Sequence, residues 1–223
     1  MTEKSNSEEK VIISILGEST VGKTSIIKKF INNSFDSEML PTIGIDFYTR
    51  KLTLLKGEEK KIVIYDTSGQ EQYHSISSSM IRKAEGILLV YDITKQKTFD
   101  ILIEWVNKIR EIREKDFPIV LIGNKCDLEE ERVINKDEGE KFARENEIEF
   151  YETSCKDGTN IENSILILIY KIIEKQKIQR LKQLEEEEKE KQEGKVKNQS
   201  KKGFRLNDKK KNKNKKKRHC FKG

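Results

Sequence analysis

Gly17-Glu18-Ser19-Thr20-Val21-Gly22-Lys23-Thr24-Ser25 fits the pattern G-x-x-x-x-G-K-[ST], which suits a loop that holds a polyphosphate. The glycines let the backbone fold back so that successive N–H groups point inward. The helix that starts there adds partial positive charge. In such a loop the Lys23 ammonium reaches the β- and γ-phosphates, and the Thr24 hydroxyl ligates Mg²⁺. The base is addressed elsewhere, at Asn124-Lys125-Cys126-Asp127. A carboxylate such as Asp127 accepts two hydrogen bonds from N1–H and the exocyclic amine of guanine; adenine has no such donor pair and leaves the carboxylate desolvated and unpaired. The apolar stem of Lys125 can lie over the base plane, and Asn124 can tie neighbouring loops together. Ser154-Cys155-Lys156 supplies small residues beside which a backbone N–H can approach the base oxygen.

These loops need rigid elements to carry them. Lys10-Val11-Ile12-Ile13-Ser14-Ile15-Leu16 reads as a buried strand before the phosphate loop, and Ser25 to Phe30 reads as an amphipathic helix after it. Ile119-Val120-Leu121-Ile122-Gly123 and Glu149-Phe150-Tyr151 are the apolar runs that precede the two base loops. Open α/β sheets bind ligands at the carboxyl ends of such strands. Lys51 to Leu55, a turn at Gly57-Glu58-Glu59 and Ile62-Val63-Ile64 form a hairpin with one antiparallel edge. Asn135 with Glu138 looks like a capping box that opens a helix through Phe142 and Arg144. Alternating strand and helix patterns to about residue 175 predict an α/β, doubly wound, mostly parallel sheet covered on both faces.

The phosphate loop, Asp66-Thr67-Ser68-Gly69-Gln70-Glu71, Asn124 to Asp127 and Ser154-Cys155-Lys156 follow one another in the order of the Ras-like small GTPases. Thr42-Ile43-Gly44-Ile45-Asp46-Phe47 and Gly86-Ile87-Leu88-Leu89-Val90-Tyr91-Asp92-Ile93-Thr94 resemble the Rab forms of the first switch and a core strand. The resemblance spans roughly residues 10 to 175 and implies the six-stranded fold of that family. It implies that Thr42 ligates Mg²⁺ while the γ-phosphate is present, with Asp66 as the second metal-side group. It also implies that Gly69 donates its N–H to the γ-phosphate, Gln70 orients the attacking water and Phe35 covers the guanine. Ile43, Gly44, Ile45, Asp46, Phe47, Tyr65 and Met80 then belong to the effector face.

No arginine stands in the phosphate loop or beside Thr42, so hydrolysis should be slow until an activating protein supplies positive charge. An exchange factor, a GDP-dissociation inhibitor and effectors are the other implied partners of what is expected to be a monomer. Several residues depart from the family pattern. Thr20 stands at a position that is often glycine, and Ser68 where alanine is usual. Tyr65 replaces a usual tryptophan, and Met80-Ile81 a pair of aromatics. One alternative is a GTP-binding scaffold in which Thr20 and Ser68 disable hydrolysis.

The 223 residues carry a formal charge of +6 that conceals an asymmetry. Residues 194–223 hold twelve Lys, two Arg and one Asp, a net +13, which leaves −7 for residues 1–193. The expected organisation is a disordered segment over 1–9, a GTPase domain over 10–176, a charged helical extension over 177–193 and a disordered polybasic tail over 194–223. Three cysteines form no disulfide framework, which suits a reducing cytosol. No nucleophile elbow accompanies His74 or His219. Cys220, four from the end in Cys220-Phe221-Lys222-Gly223, is the candidate for lipidation. A single lipid beside a polybasic run is a two-signal anchor for an anionic leaflet. The expected location is the cytoplasmic face of intracellular or plasma membranes, with a cytosolic pool. A basic-tailed nucleic-acid-associated GTPase is the other alternative, but Phe204 and Phe221 are the tail's two aromatics and form no interleaved set to stack bases, so no nucleic acid is expected.

Overall fold

The computed structural model describes residues 10–36, 45–67, 74–187 and 189. The chain divides into two compact units, Met1–Ile173 and Glu174–Gly223. In the second unit residues 174–187 are helical. No described helix is long and apolar enough to cross a membrane.

The first unit is built on six strands: β1 (Lys10–Leu16), β2 (Ile45–Thr53), β3 (Glu59–Thr67), β4 (Gly86–Asp92), β5 (Ile119–Asn124) and β6 (Glu149–Thr153). Their spatial order is β2-β3-β1-β4-β5-β6, and only the β2–β3 pair is antiparallel. Helices α1 (Lys23–Asn32), α2 (His74–Lys83), α3 (Gln96–Asp100), α4 (Leu102–Ile112) and α5 (Lys136–Glu145) connect the strands. A further helix, α6, occupies residues 161–173 of this unit. Every residue of β4 and β5 is buried, as expected for parallel strands covered on both faces.

Side chains alternate along β4. Leu88 and Val90 join a core with Ile26, Ile27 and Phe30 of α1 and Ile165, Leu168 and Ile169 of α6. Ile87, Leu89 and Tyr91 face the opposite way, towards Ile81 of α2, Trp105 and Ile109 of α4 and Ala143 of α5. Period-two alternation thus fills both layers. Each large aliphatic side chain so buried contributes about 1.5–3 kcal/mol. Arg113 fastens the ends of two helices together on the second face. It donates to the carbonyls of Ile81 at 2.9 Å, Arg82 at 2.6 Å and Ala84, at the last turn of α2.

The hairpin extends beyond its apolar residues. β2 starts at Ile45 and β3 at Glu59, and a 3-10 turn over Leu55–Gly57 joins them. Backbone pairing carries the strands through polar residues, which the apolar pattern alone does not mark. The capping box of α5 forms, with the Asn135 N–H donating to the Glu138 carboxylate at 2.8 Å. The five parallel strands end on one edge of the sheet, and chain order reverses on either side of β1, the geometry that opens a ligand crevice.

Candidate functional site

Three registers align the ends of the strands. Ile15 pairs with Asp66, Asp92 with Asn124, and Asn124 with Thr153. The loop after β1 closes tightly on this edge. Gly17 has φ 139, and a side chain there would overlap the carbonyl of Val90. Gly22 has φ 97 and abuts the Asn124 amide. Both conformations favour glycine. Val21 is fully buried and anchors the loop, Ser19 and Thr20 are exposed, and Ser25 is half-buried in the first turn of α1.

Lys23 is 5% exposed, with its ammonium lying across the loop and donating to the carbonyls of Gly17 and, at 2.8 Å, Glu18. A buried cation at a helix N-terminus makes this crevice attractive to anions. Beside it the Thr24 hydroxyl donates to Asp66 Oδ2 at 2.6 Å. Asp66 is fully buried, and its Oδ1 has no hydrogen-bond partner among the described residues. Burial pushes its carboxyl above the usual range, opposed by the Thr24 hydrogen bond and the Lys23 charge. A hydroxyl and an unsatisfied carboxylate oxygen together fit a small, hard divalent cation, whose charge would favour the ionised carboxylate.

Asn124 ties three loops together. Its amide donates to the Val21 carbonyl at 2.8 Å, and its Oδ1 accepts from the Thr153 hydroxyl at 3.0 Å and faces Cys155 Sγ at 3.6 Å. The Cys126 N–H donates to the Thr153 carbonyl at 3.0 Å, joining the loops after β5 and β6. Lys125 adopts φ 70, and Asp127 is half-buried two residues on. The buried Ser154 hydroxyl accepts from the N–H groups of Lys156 at 3.2 Å and Asp157 at 3.4 Å, shaping the second base loop. Burial pushes the Cys155 thiol up to about 12 and that of Cys126 up to about 11, so neither is a nucleophile near neutral pH.

The residues expected on an effector face separate by exposure. Phe47 is 69% exposed, opposite the half-buried Tyr65 in the β2–β3 ladder, while Ile45 and Asp46 are exposed beside it. Met80, expected on the same face, is only 3% exposed, buried like Ile81 beside it. Phe35 is 46% exposed. Thr42, Ile43, Gly44, Ser68, Gly69, Gln70 and Cys220 lie outside the described residues.

Thr20 has φ 67, the left-handed conformation that strains a β-branched side chain. Its hydroxyl accepts from the Lys95 ammonium at 3.0 Å at the surface. Relief of backbone strain exceeds the loss of that exposed contact and the extra chain entropy of glycine. Thr20→Gly is therefore expected to stabilise the chain by about 1 kcal/mol, seen as a higher thermal midpoint. A lower midpoint would show that the hydroxyl contact dominates.

Two charged residues at the site escaped the sequence reading, Asp92 and Arg132. Both sit where sequence gives a position but no partner. Asp92 ends β4, in line with Asp66 and Asn124, a signal that could have marked it. Arg132 holds Glu152 with two contacts of 2.6 and 3.0 Å, meets Glu129 at 2.8–3.0 Å, and donates to the Ile134 carbonyl at 3.0 Å. It therefore clamps the segment after Asp127 to β6, the strand that leads into Ser154. Arg132 and Glu152 side chains are each 12% exposed. Arg132→Ala leaves a nearly buried carboxylate unpaired and is expected to cost roughly 3 kcal/mol of stability in urea unfolding. A loss under about 0.5 kcal/mol would place the pair among inert surface contacts.

Comparison with known proteins adds an independent line of support. The Ras family model matches residues 10–175. The Ras-related protein Rab-10 of Diplobatis ommata is 44% identical over 161 residues, covering 72% of this chain and 80% of that protein. Rab-10 of Caenorhabditis elegans is 40% identical over 161 residues, with 72% and 80% covered. Rab-8A of Rattus norvegicus is 42% identical over 154 residues, with 69% and 74% covered.

Proposed function

Because the chain belongs to the Rab branch of the Ras family of small GTPases, enzymes that hydrolyse GTP and serve membrane traffic, we propose that its loops form a Mg²⁺-dependent GTP/GDP switch. The observation that carries this reading is the meeting of three loops through Asn124, with the Lys23 ammonium and the Thr24–Asp66 pair beside them. Lys23 neutralises the β- and γ-phosphates, and backbone N–H groups from Ser19 to Ser25 surround them. Asp127 reads the guanine edge, the stem of Lys125 and the ring of Phe35 cover the base, and the loop of Ser154, Cys155 and Lys156 meets its oxygen.

Thr24, Thr42 and Asp66 would hold Mg²⁺, directly or through water. Held there, the ion would supply positive charge to offset the charge that develops during transfer. Gln70 holds the attacking water in line with the γ-phosphorus. Thr42 and Gly69 lose their contacts together once the γ-phosphate leaves, so both switch segments relax and partners meet a different surface. Effectors in the GTP form meet Ile43, Gly44, Ile45, Asp46, Phe47 and Tyr65, with Met80 behind them. An exchange factor, an activating protein and a GDP-dissociation inhibitor control the cycle. Cys220 carries a lipid that, with the basic tail, holds the chain on an anionic cytoplasmic leaflet.

Single-turnover conversion of bound GTP to GDP tests the switch. The wild-type chain is expected to turn over slowly, and Gln70→Leu to slow the step by a further factor of about 10². Equal rates in the two proteins would remove Gln70 from the attacking water. Failure of the chain to bind GTP would sink the reading.

A further inference from the structure

Asp92 is a charged side chain at the crevice to which nothing above gives a role. It ends β4 and is fully buried. Its Oδ1 accepts from the N–H of Thr94 at 3.0 Å and from the Thr94 hydroxyl at 2.7 Å. Its Oδ2 lies 2.6 Å from the Lys125 ammonium and 3.9 Å from that of Lys95. The backbone around Asp92 is equally constrained: the Thr98 hydroxyl accepts from the Asp92 N–H at 3.0 Å, and the Lys95 N–H donates to its carbonyl at 3.0 Å. So the carboxylate has a fixed place, and one of its oxygens is aimed at the base loop.

We propose that Asp92 is a positioning residue for nucleotide retention, holding the Lys125 side chain in the attitude that covers the base. The proposal rests on the reading that Lys125 lies on the guanine. Lys125 needs such an anchor for two reasons. One is its place just past β5, where its own backbone turns into the left-handed region, at φ 70, rather than continuing the strand. Its four-carbon stem has several rotatable bonds, and a free lysine would have to lose that freedom whenever nucleotide binds. A buried carboxylate at 2.6 Å imposes the order in advance, and preorganisation of this kind appears mainly in the rate of release. Lys95 extends the reach of the same carboxylate, because its ammonium also donates to the Thr20 hydroxyl of the phosphate loop at 3.0 Å. One fully buried charge therefore steadies a side chain at the base and, more weakly, the loop at the phosphates.

The test is the release rate of a fluorescent GDP analogue from the full-length chain carrying Asp92→Asn, Lys125→Met or both. Asparagine keeps an oxygen for Thr94 and removes the charge that holds Lys125. Asp92→Asn is expected to speed release at least about tenfold, as for loss of one partner of a buried charge pair. In the Lys125→Met background the same substitution is expected to add no more than about twofold, because the group it anchors is already gone. Release within about twofold of wild type for Asp92→Asn, or effects that simply multiply in the double variant, would overturn the proposal. Should Lys125→Met itself leave release unchanged, the reading of Lys125 on the guanine falls and the proposal falls with it. Fast release by Lys125→Met with none by Asp92→Asn sinks only the anchor. A measurement on the unsubstituted chain guards against an unfolded Asp92 variant. Under limiting acetylating reagent Lys125 is expected to react about fivefold more slowly than Lys136, because its side chain is 29% exposed and held 2.6 Å from Asp92 Oδ2, whereas that of Lys136 is 61% exposed and 3.4 Å from Glu140. Equal reactivity overturns the anchor.

Discussion

Asp127→Ala is expected to weaken guanine nucleotide binding by roughly 10²–10⁴-fold, the loss of two charge-assisted hydrogen bonds at about 1.5–3 kcal/mol each. The local fold explains why the loss should be local. Leu128 donates its N–H to the Lys125 carbonyl at 2.9 Å, and Cys126 is tied to Thr153 at 3.0 Å. The backbone that presents Asp127 is thus held by main-chain bonds that alanine leaves intact. Asp127 is half-buried and free to face a ligand edge, so its removal should not lower the thermal midpoint of the nucleotide-free chain. Equilibrium titration with a fluorescent GDP, with ATP as competitor, checks both strength and selectivity. An affinity unchanged by the substitution would take the base-reading role away from this loop.

Lys23→Ala is expected to be comparably severe for affinity, by about 10²–10⁴-fold, and opposite in sign for the stability of the nucleotide-free chain. In the folded chain the ammonium is 5% exposed and satisfied by the carbonyls of Gly17 and Glu18. Keeping a charge there costs solvation, which a bound polyphosphate would repay under the proposed function. Alanine removes both the cost and the reward. The thermal midpoint without nucleotide should hold or rise, while the upward shift on adding GDP should largely vanish, since that shift grows with ligand concentration over Kd. Lys23→Arg is expected not to rescue binding, because a planar five-donor fork presents a different geometry from a compact ammonium. A normal GDP-induced shift in Lys23→Ala would remove Lys23 from the phosphates.

Much of this architecture is legible because hydrophobic period and loop chemistry agree. β4 and β5 are unbroken apolar runs, so their burial on both faces follows from the residues. The motifs fall at strand ends, so their gathering on one edge follows from parallel order. The hairpin is only partly legible, since β2 begins in exposed residues, Ile45 to Phe47, that are held by pairing with β3. The burial of Met80 is not legible either, because helix phase decides which way a lone apolar side chain turns.

The sequence by itself determined the family, a mostly parallel sheet with one antiparallel edge and the identity of the groups at each loop, because glycine, lysine, hydroxyl and carboxylate chemistry is local to a few adjacent residues. Only the tertiary structure decided which of those groups meet. Thr24 reaches Asp66 across 42 positions and Asn124 reaches Val21 across 103. Asp92 is drawn to Lys125, and Arg132 to Glu152, by strands that are neighbours in space. A side chain's type is written in the chain, whereas its partner depends on sheet register and on which faces are buried. Those are fixed when the two layers close on the sheet.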